Sequence, residues 1–186
     1  MSLAISAAQL REICPRAPAH VLPALNRALE AAQCVTHLRA SMFVAQLAHE
    51  SGEFRYLEEL ADGKRYEGRA DLGNVQPGDG PRFKGRGWIQ LTGRRNYALA
   101  GAALKLDLVK SPELAATEQV AGQIAAWFWK SHGLNMFADV GDLTGCTRVI
   151  NGGQNGADSR ASYYQRALYA LAGSHDAFGD VVGGSS

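Results

Sequence analysis

Apolar positions along this chain recur at helical spacing much more often than they alternate. Residues 5–13 and 21–33 read as two short amphipathic helices, separated by a break between Pro15 and Pro18. Residues 36–50 follow with Leu38, Met42, Phe43, Val44, Ala45, Leu47 and Ala48 and no Gly or Pro, which predicts a mostly buried helix. Gln46 and Glu50 interrupt it at i, i+4 and so share one face, and Gly52 is its predicted stop. Helical patterning returns over residues 96–104, over 117–131 where His132-Gly133 closes it, and over 142–150 and 158–172, with Asn151-Gly152-Gly153 as a hinge. Residues 88–91 form the best short strand candidate, and little else reads as β. The expected fold class is mainly α.

Between the helical segments, residues 61–87 are rich in Gly, Asp, Asn and Pro but are interrupted by aromatic and basic side chains. That pattern predicts a structured loop rather than a linker, and long ordered loops usually carry binding function. Charge concentrates there too. From Lys64 to Arg95, eight Lys or Arg accompany three Asp or Glu, an excess of five in a chain whose formal net charge is only +1. The segment reads either as a basic rim for an anionic polymer or as a loop whose cations pair with local carboxylates. The near-zero total argues against a nucleic-acid partner, which would show itself as a steep salt dependence of DNA binding.

A chain of 186 residues is long enough to bury roughly 70% of its unfolded surface, so residues 1–186 are expected to form one domain with two lobes. Cys14, Cys34 and Cys146 are odd in number and lack CxxC spacing, and they read as buried or free thiols of a chain made in a reducing compartment. No basic region precedes an apolar run at the N-terminus, and no stretch approaches the ~20 apolar residues of a membrane span, so stable membrane insertion is not expected. His20, His37, His132 and His175 lack metal-ligand spacing. Trp127, Phe128 and Trp129, with Tyr163, Tyr164 and Tyr169, read as core rather than as ligand platforms.

Two stretches carry candidate chemistry. Residues 45–59, AQLAHESGEFRYLEE, deliver Glu50 from the end of an apolar helix and Glu59 nine residues later. Burial and the partial negative charge of a helix C-terminus both disfavour an ionised carboxylate, which is the environment of a proton donor; the alternative is an exposed terminal Glu hydrogen-bonded to its neighbours. His49-Glu50 does not begin a zinc-binding HExxH, because residue 53 is Glu53. The second stretch, residues 82–97 (RFKGRGWIQLTGRRNY), has Gly85, Gly87 and Gly93 to let backbone approach a ligand. Gln90, Thr92 and Asn96 add short neutral donors and acceptors suited to hydroxyl and acetamido groups. Its glycines do not form a P-loop.

Taken together, HESGEF, the nine-residue step to Glu59, GRGWIQLTGRRNY and the later VINGGQNGADSR resemble glycoside hydrolase family 19, the chitinase and phage-lysozyme family, over residues 36–170. The resemblance implies a lysozyme-like, two-lobed helical fold with a central substrate cleft and an inverting mechanism that uses no metal or other cofactor. It matches Glu50 to the general acid, Glu59 to the general base and Thr92 to the residue that helps hold the attacking water. Gln90, Asn96, Asn151 and Arg160 match substrate-binding positions. Glu58, beside Glu59, is a second candidate for the base. Plant members carry a longer insertion between the two acids and disulfides absent here, so the chain looks like the phage and prophage branch, which cuts peptidoglycan. The implied function is that of an endolysin: hydrolysis of the β-1,4 bond between N-acetylmuramic acid and N-acetylglucosamine, by a monomer whose partner is the peptidoglycan strand. With no separate wall-binding domain expected, the enzyme would be made in the cytoplasm without a signal peptide and released through a holin-made lesion. A secreted antibacterial effector, a chitinase and a non-catalytic glycan-binding module are the alternatives.

Overall fold

The computed structural model describes residues 3–172; His175 and the terminal GGSS lie outside the described residues. Nine α-helices occur among them: α1 (Ala7–Ile13), α2 (Leu22–Ala31), α3 (His37–Glu50), α4 (Asp79–Arg82), α5 (Arg94–Leu104), α6 (Glu118–Ser131), α7 (Leu134–Asp139), α8 (Leu143–Asn151) and α9 (Ala157–Ala172). Local chemistry sets several boundaries. Ser6 and Gln9 form a reciprocal capping box, so α1 starts at Ala7 rather than at residue 5. Thr36 caps α3 by accepting the Arg39 amide at 3.3 Å.

The helices enclose two apolar cores. The larger combines α1, α2, α3 and α9, with every residue of α3 from Ala40 to Ala48 buried. Phe43 packs edge-on against Trp129 of α6 at 5.0 Å between ring centroids. Close approach of α2 to α6 depends on Gly122, where a Cβ would lie 3.2 Å from the Ala24 carbonyl oxygen and 3.1 Å from the Trp88 ring. The smaller core gathers Phe83, Leu91, Tyr97, Ala100, Leu108, Ala115 and Ile124 around α5. Helix α6 serves both, giving Ala121, Ala125 and Trp129 to the first and Ile124 to the second.

The 61–87 loop is ordered by polar anchors, of which Asn74 and Asp79 are buried. Asn74, with no exposed surface, donates to the Tyr66 carbonyl at 2.9 Å and accepts the Arg94 amide at 2.8 Å. Glu67 accepts the amides of Gly78 and Gly80, both at 2.7 Å. Asp79 accepts the Gln76 amide and pairs with Arg94. These bonds replace the helix or sheet partners that a loop backbone otherwise lacks.

Several expectations are corrected. Residues 88–91 are not a strand. Gly87 and Gln90 have φ of 76° and 54°, which curls the segment into a turn bounded by an isolated bridge between Arg86 and Leu91. Trp88 is apolar there because the turn buries it, not because a strand pairs it. The expected 21–33 helix is split into a 3-10 turn at Ala19–Val21 and α2. Helix α5 begins two residues before residue 96, α4 interrupts the loop, and the chain re-enters helix as α7 just after His132-Gly133. Trp129, Tyr163 and Tyr164 are core, Trp127 and Phe128 are half-buried, and Tyr169 is exposed. All three cysteines are buried and unpaired.

Candidate active site

Glu50 is the last residue of α3, and its carboxylate accepts from the Arg160 guanidinium. Arg160, on the first turns of α9, is 1% exposed. Its other Nη donates to the Gln46 side-chain oxygen, and its Nε to the Asn155 carbonyl at 3.3 Å. Gln46 in turn donates to Thr147 Oγ1 of α8 at 3.0 Å. The shared face of Gln46 and Glu50 is thus the face that grips one buried cation. An uncompensated guanidinium in that position would be costly, so the arrangement holds Glu50 in one place.

Immediately after Glu50 the chain reverses through three consecutive left-handed residues, Gly52, Glu53 and Phe54, with φ of 56°, 64° and 64°. Each of the last two costs roughly 1–2 kcal/mol in backbone conformation. Their side chains offset it. Glu53, 2% exposed, accepts the Arg16 amide at 2.6 Å, Arg16 Nε and Nη2 at 3.0 and 2.9 Å, and the Tyr163 hydroxyl at 3.0 Å. Phe54 packs edge-on against Trp88 with centroids 5.2 Å apart. Beside Glu50, the His49 ring lies against Gly156, where a Cβ would come within 2.1 Å of Cε1, and Nδ1 meets Ser159 Oγ at 3.0 Å. Burial, then the Arg160 cation, hold His49 below the usual imidazole range, with Glu50 acting in the opposite direction.

Glu59 is fixed from the other side of this reversal. Its amide donates to the Gly85 carbonyl at 2.9 Å, and the Gly85 amide donates back to Glu59 Oε2 at 3.2 Å. Arg65 Nη2 reaches Oε1 at 2.8 Å, and the Tyr66 hydroxyl lies at 3.4 Å. Around Gly85 three of the predicted residues converge: a Cβ there would lie 2.7 Å from Gln90 Oε1, 3.3 Å from Glu59 Oε2 and 3.4 Å from Thr92 Oγ1. Thr92 donates its hydroxyl to the Gln90 carbonyl at 2.8 Å, Gln90 Nε2 donates to the Gly87 carbonyl at 3.0 Å, and Asn96 Nδ2 donates to the Thr92 carbonyl at 2.8 Å. Glu58 is engaged elsewhere, accepting Arg86 Nε at 3.0 Å and facing Lys84 Nζ at 3.4 Å. Of the two neighbouring glutamates, Glu59 is the one beside Thr92 and Gln90.

Asn151 braces the turn before α9. Its Oδ1 accepts the Gly153 amide at 2.8 Å and its Nδ2 donates to the Asn155 carbonyl at 3.0 Å, the same carbonyl that Arg160 uses. The predicted residues therefore form two clusters: Glu50, Arg160 and Asn151 on one side, and Glu59, Thr92, Gln90 and Asn96 on the other. Among the described residues no hydrogen bond joins the two carboxylates. No group of three or more His, Cys, Asp or Glu among the described residues could hold a metal, and no described helix is long and apolar enough to cross a membrane.

Residues 32–165 match the family model described as Chitinase class I. The chain belongs to glycoside hydrolase family 19. A glycosyl hydrolase family 19 domain-containing protein of Haemophilus influenzae is 32% identical over 199 aligned residues, covering 90% of this chain and 97% of that one. An Arabidopsis thaliana endochitinase is 41% identical over 129 residues, 69% of this chain and 44% of the plant protein, so the chain spans less than half the length of that relative. Chitinase C from Streptomyces griseus superposes with a TM-score of 0.77 at 24% identity, covering 92% of this chain and 94% of that one, a likeness of fold. A second bacterial family 19 chitinase gives 0.75 at 25% identity, over 91% and 95%. This family 19 chain is a glycoside hydrolase with a mainly helical, lysozyme-like, two-lobed architecture.

The basic segment divides between the two readings offered for it. Lys64, Arg65, Arg69, Lys84, Arg86 and Arg94 each pair with a nearby carboxylate, from Asp62, Glu59, Asp71, Glu58 or Asp79. Arg82 is held by the Val109 and Lys110 carbonyls and lies over the Phe83 ring, and Arg95 is held by the Asp71 carbonyl; neither makes a salt bridge among the described residues. Tyr163 was read only as core, and Arg65, Tyr66, Thr147 and Arg16 escaped the sequence reading as site residues. Arg65 lay within the basic run as one cation among eight. The others gave no local signal, because their relevance comes from contacts across the fold.

Proposed function

We propose that this family 19 hydrolase cleaves the β-1,4 bond between N-acetylmuramic acid and N-acetylglucosamine in peptidoglycan, with inversion, using Glu50 as acid and Glu59 as base. The observation that carries the reading is the convergence of Glu59 Oε2, Thr92 Oγ1 and Gln90 Oε1 around the bare Cα of Gly85, while Glu50 is held separately at the end of α3. Inversion requires one protonated carboxyl at the leaving oxygen and one carboxylate that activates water across the ring, with the two roughly 6.5–9.5 Å apart. Arg160 engages Glu50 Oε1, so the transferable proton belongs on Oε2. The Thr92 hydroxyl hydrogen is committed to the Gln90 carbonyl, so toward a water Thr92 Oγ1 acts as acceptor. One water hydrogen then points to Thr92, the other to Glu59, and the oxygen lone pair is left for the anomeric carbon. Gln90 and Asn96 on one side, and Asn151 on the other, border the sugar.

Arg82 and Arg95, the two cations of the 64–95 segment that make no salt bridge among the described residues, favour an anionic wall polymer over neutral chitin. The enzyme works as a monomer, made in the cytoplasm and reaching the wall after release. The experiment is digestion of purified peptidoglycan, borohydride reduction and mass spectrometry of the new reducing ends. Muramitol-terminated muropeptides are expected. The second reading is chitin hydrolysis, favoured by the 41% identity to a plant endochitinase. Cleavage of chitin oligomers without release of muropeptides would establish it, and cleavage of neither polymer would leave a glycan-binding module.

A further inference from the structure

We propose that Glu53 is a positioning residue for the acid, clamped by Arg16 and Tyr163 so that the end of α3 presents Glu50 in one orientation. The inference rests on the reading of Glu50 as the acid. Arg160 and Tyr163 stand three residues apart on α9 and engage Glu50 and Glu53, which are likewise three residues apart. Two successive carboxylates at the end of α3 are thus held by neighbouring positions of one facing helix, which fixes the rotation of that end as well as its location. Arg16 completes the arrangement: its guanidinium shares Glu53 Oε1 with Tyr163, and its amide takes Oε2. It gives Glu53 a backbone amide and two guanidinium nitrogens, and it lies outside residues 32–165 that match the family model.

The backbone argues that the carboxylate is kept for a purpose. Glu53 has φ of 64°, a conformation that glycine adopts freely and glutamate does not. The Glu53 amide also donates to the Ala48 carbonyl at 2.7 Å, so any shift of the Glu53 backbone is passed to the last turn of α3, where Glu50 sits. If Glu53 served only to shape the turn, glycine would be the better residue there. What glycine cannot supply is the acceptor for Arg16 and Tyr163.

The test uses the full chain with Glu53→Gln, Glu53→Gly, Arg16→Ala and Arg16→Lys. On whichever polymer the wild type cleaves, Glu53→Gln and Glu53→Gly lower kcat about 10- to 100-fold, the range expected when a reacting group is displaced by up to ~1 Å, with KM within about twofold. Arg16→Ala keeps the backbone donor and loses less, and Arg16→Lys recovers part of that loss. The 15N-labelled Arg160 Nε–Hε resonance reports the Glu50 pairing independently of turnover, and it shifts in both Glu53 variants. An unshifted resonance in a folded Glu53→Gly protein, or kcat within twofold of wild type, overturns the proposal. A shifted resonance in a chain whose wild type cleaves neither polymer upholds the clamp and rejects the functional reading instead.

Discussion

Replacing Gly85 with alanine tests the candidate site at the point where its geometry is tightest. The new methyl would lie 2.7 Å from Gln90 Oε1, so reaching an ordinary contact near 3.4 Å requires that oxygen to move about 0.7 Å; Glu59 Oε2 and Thr92 Oγ1, at 3.3 and 3.4 Å, need little adjustment. The carboxamide can move only by weakening its 3.0 Å bond to the Gly87 carbonyl. Misplacement by 1 Å near a reacting centre can cost ~100-fold, so a 0.7 Å displacement of a sugar-bordering group should lower kcat/KM about 10-fold, or about 1.4 kcal/mol of transition-state stabilisation. Stability should hardly change. Overpacking at the flexible end of a side chain costs about 1 kcal/mol, and the restriction of the unfolded chain on going from Gly to Ala returns ~0.4–1 kcal/mol. The assay is muropeptide or chitin-oligomer release at subsaturating substrate, alongside calorimetry. Gly87→Ala is the control: its methyl would face the Ala115 carbonyl at 3.0 Å with φ of 76°, so it should lower Tm first. Wild-type kcat/KM in a folded Gly85→Ala protein would refute the convergence of Gln90, Glu59 and Thr92 as the working site.

Three further outcomes are expected. Glu50→Gln lowers turnover by at least ~100-fold, the lower end of a general-acid contribution, and leaves the far-ultraviolet circular dichroism unchanged; near-normal release of product would sink its assignment as the acid. Asp79, paired with Arg94 and almost fully buried, is held below the usual carboxylate range chiefly by that pairing, so its contribution is complete above the unfolded carboxylate pKa of about 4 and fades as pH falls through the lower folded value. The stability gap between wild type and Asp79→Asn in urea titrations should therefore narrow below about pH 4, and a gap that widens in acid contradicts the linkage. Burial pushes the thiols of Cys14, Cys34 and Cys146 up to about 12, so Ellman's reagent should find none in the native protein and all three in guanidinium.

What was legible in the sequence follows from how local each signal is. Helix α3 announced itself because its apolar run is continuous and its buried face is set by its own residues, so Gln46 and Glu50 could be placed together before any partner was known. The family motifs carried Glu59 and Thr92 in the same way, and the structure brings both to Gly85. The strand expected at residues 88–91 failed because apolar spacing reports burial and not pairing: Trp88 is buried by a turn whose shape depends on positive φ at Gly87 and at the non-glycine Gln90. The environment of Glu50 was only half legible. Burial at a helix end could be read from the 36–50 run, but the Arg160 cation arrives from 110 residues away. The VINGGQNGADSR motif marked Arg160 as a substrate-binding position, but only the fold shows it 1% exposed with its guanidinium spent on Glu50 and Gln46.

The choice between Glu58 and Glu59 shows the same limit at the scale of one residue. Their sequence context is nearly identical, yet the bridge that pairs Glu58 with Arg86 sends the two side chains to different partners. Glu58 accepts from Arg86 and faces Lys84, a role that ties two backbone segments together. Glu59, one step along, takes the amide of Gly85 and the neighbourhood of Thr92. Neighbouring residues of an extended segment point to opposite sides, so one carboxylate is committed to the scaffold while the next is presented to the site. Glu58→Gln should accordingly lower Tm more than kcat, and Glu59→Gln should lower kcat more than Tm. The reverse pattern would move the base to Glu58.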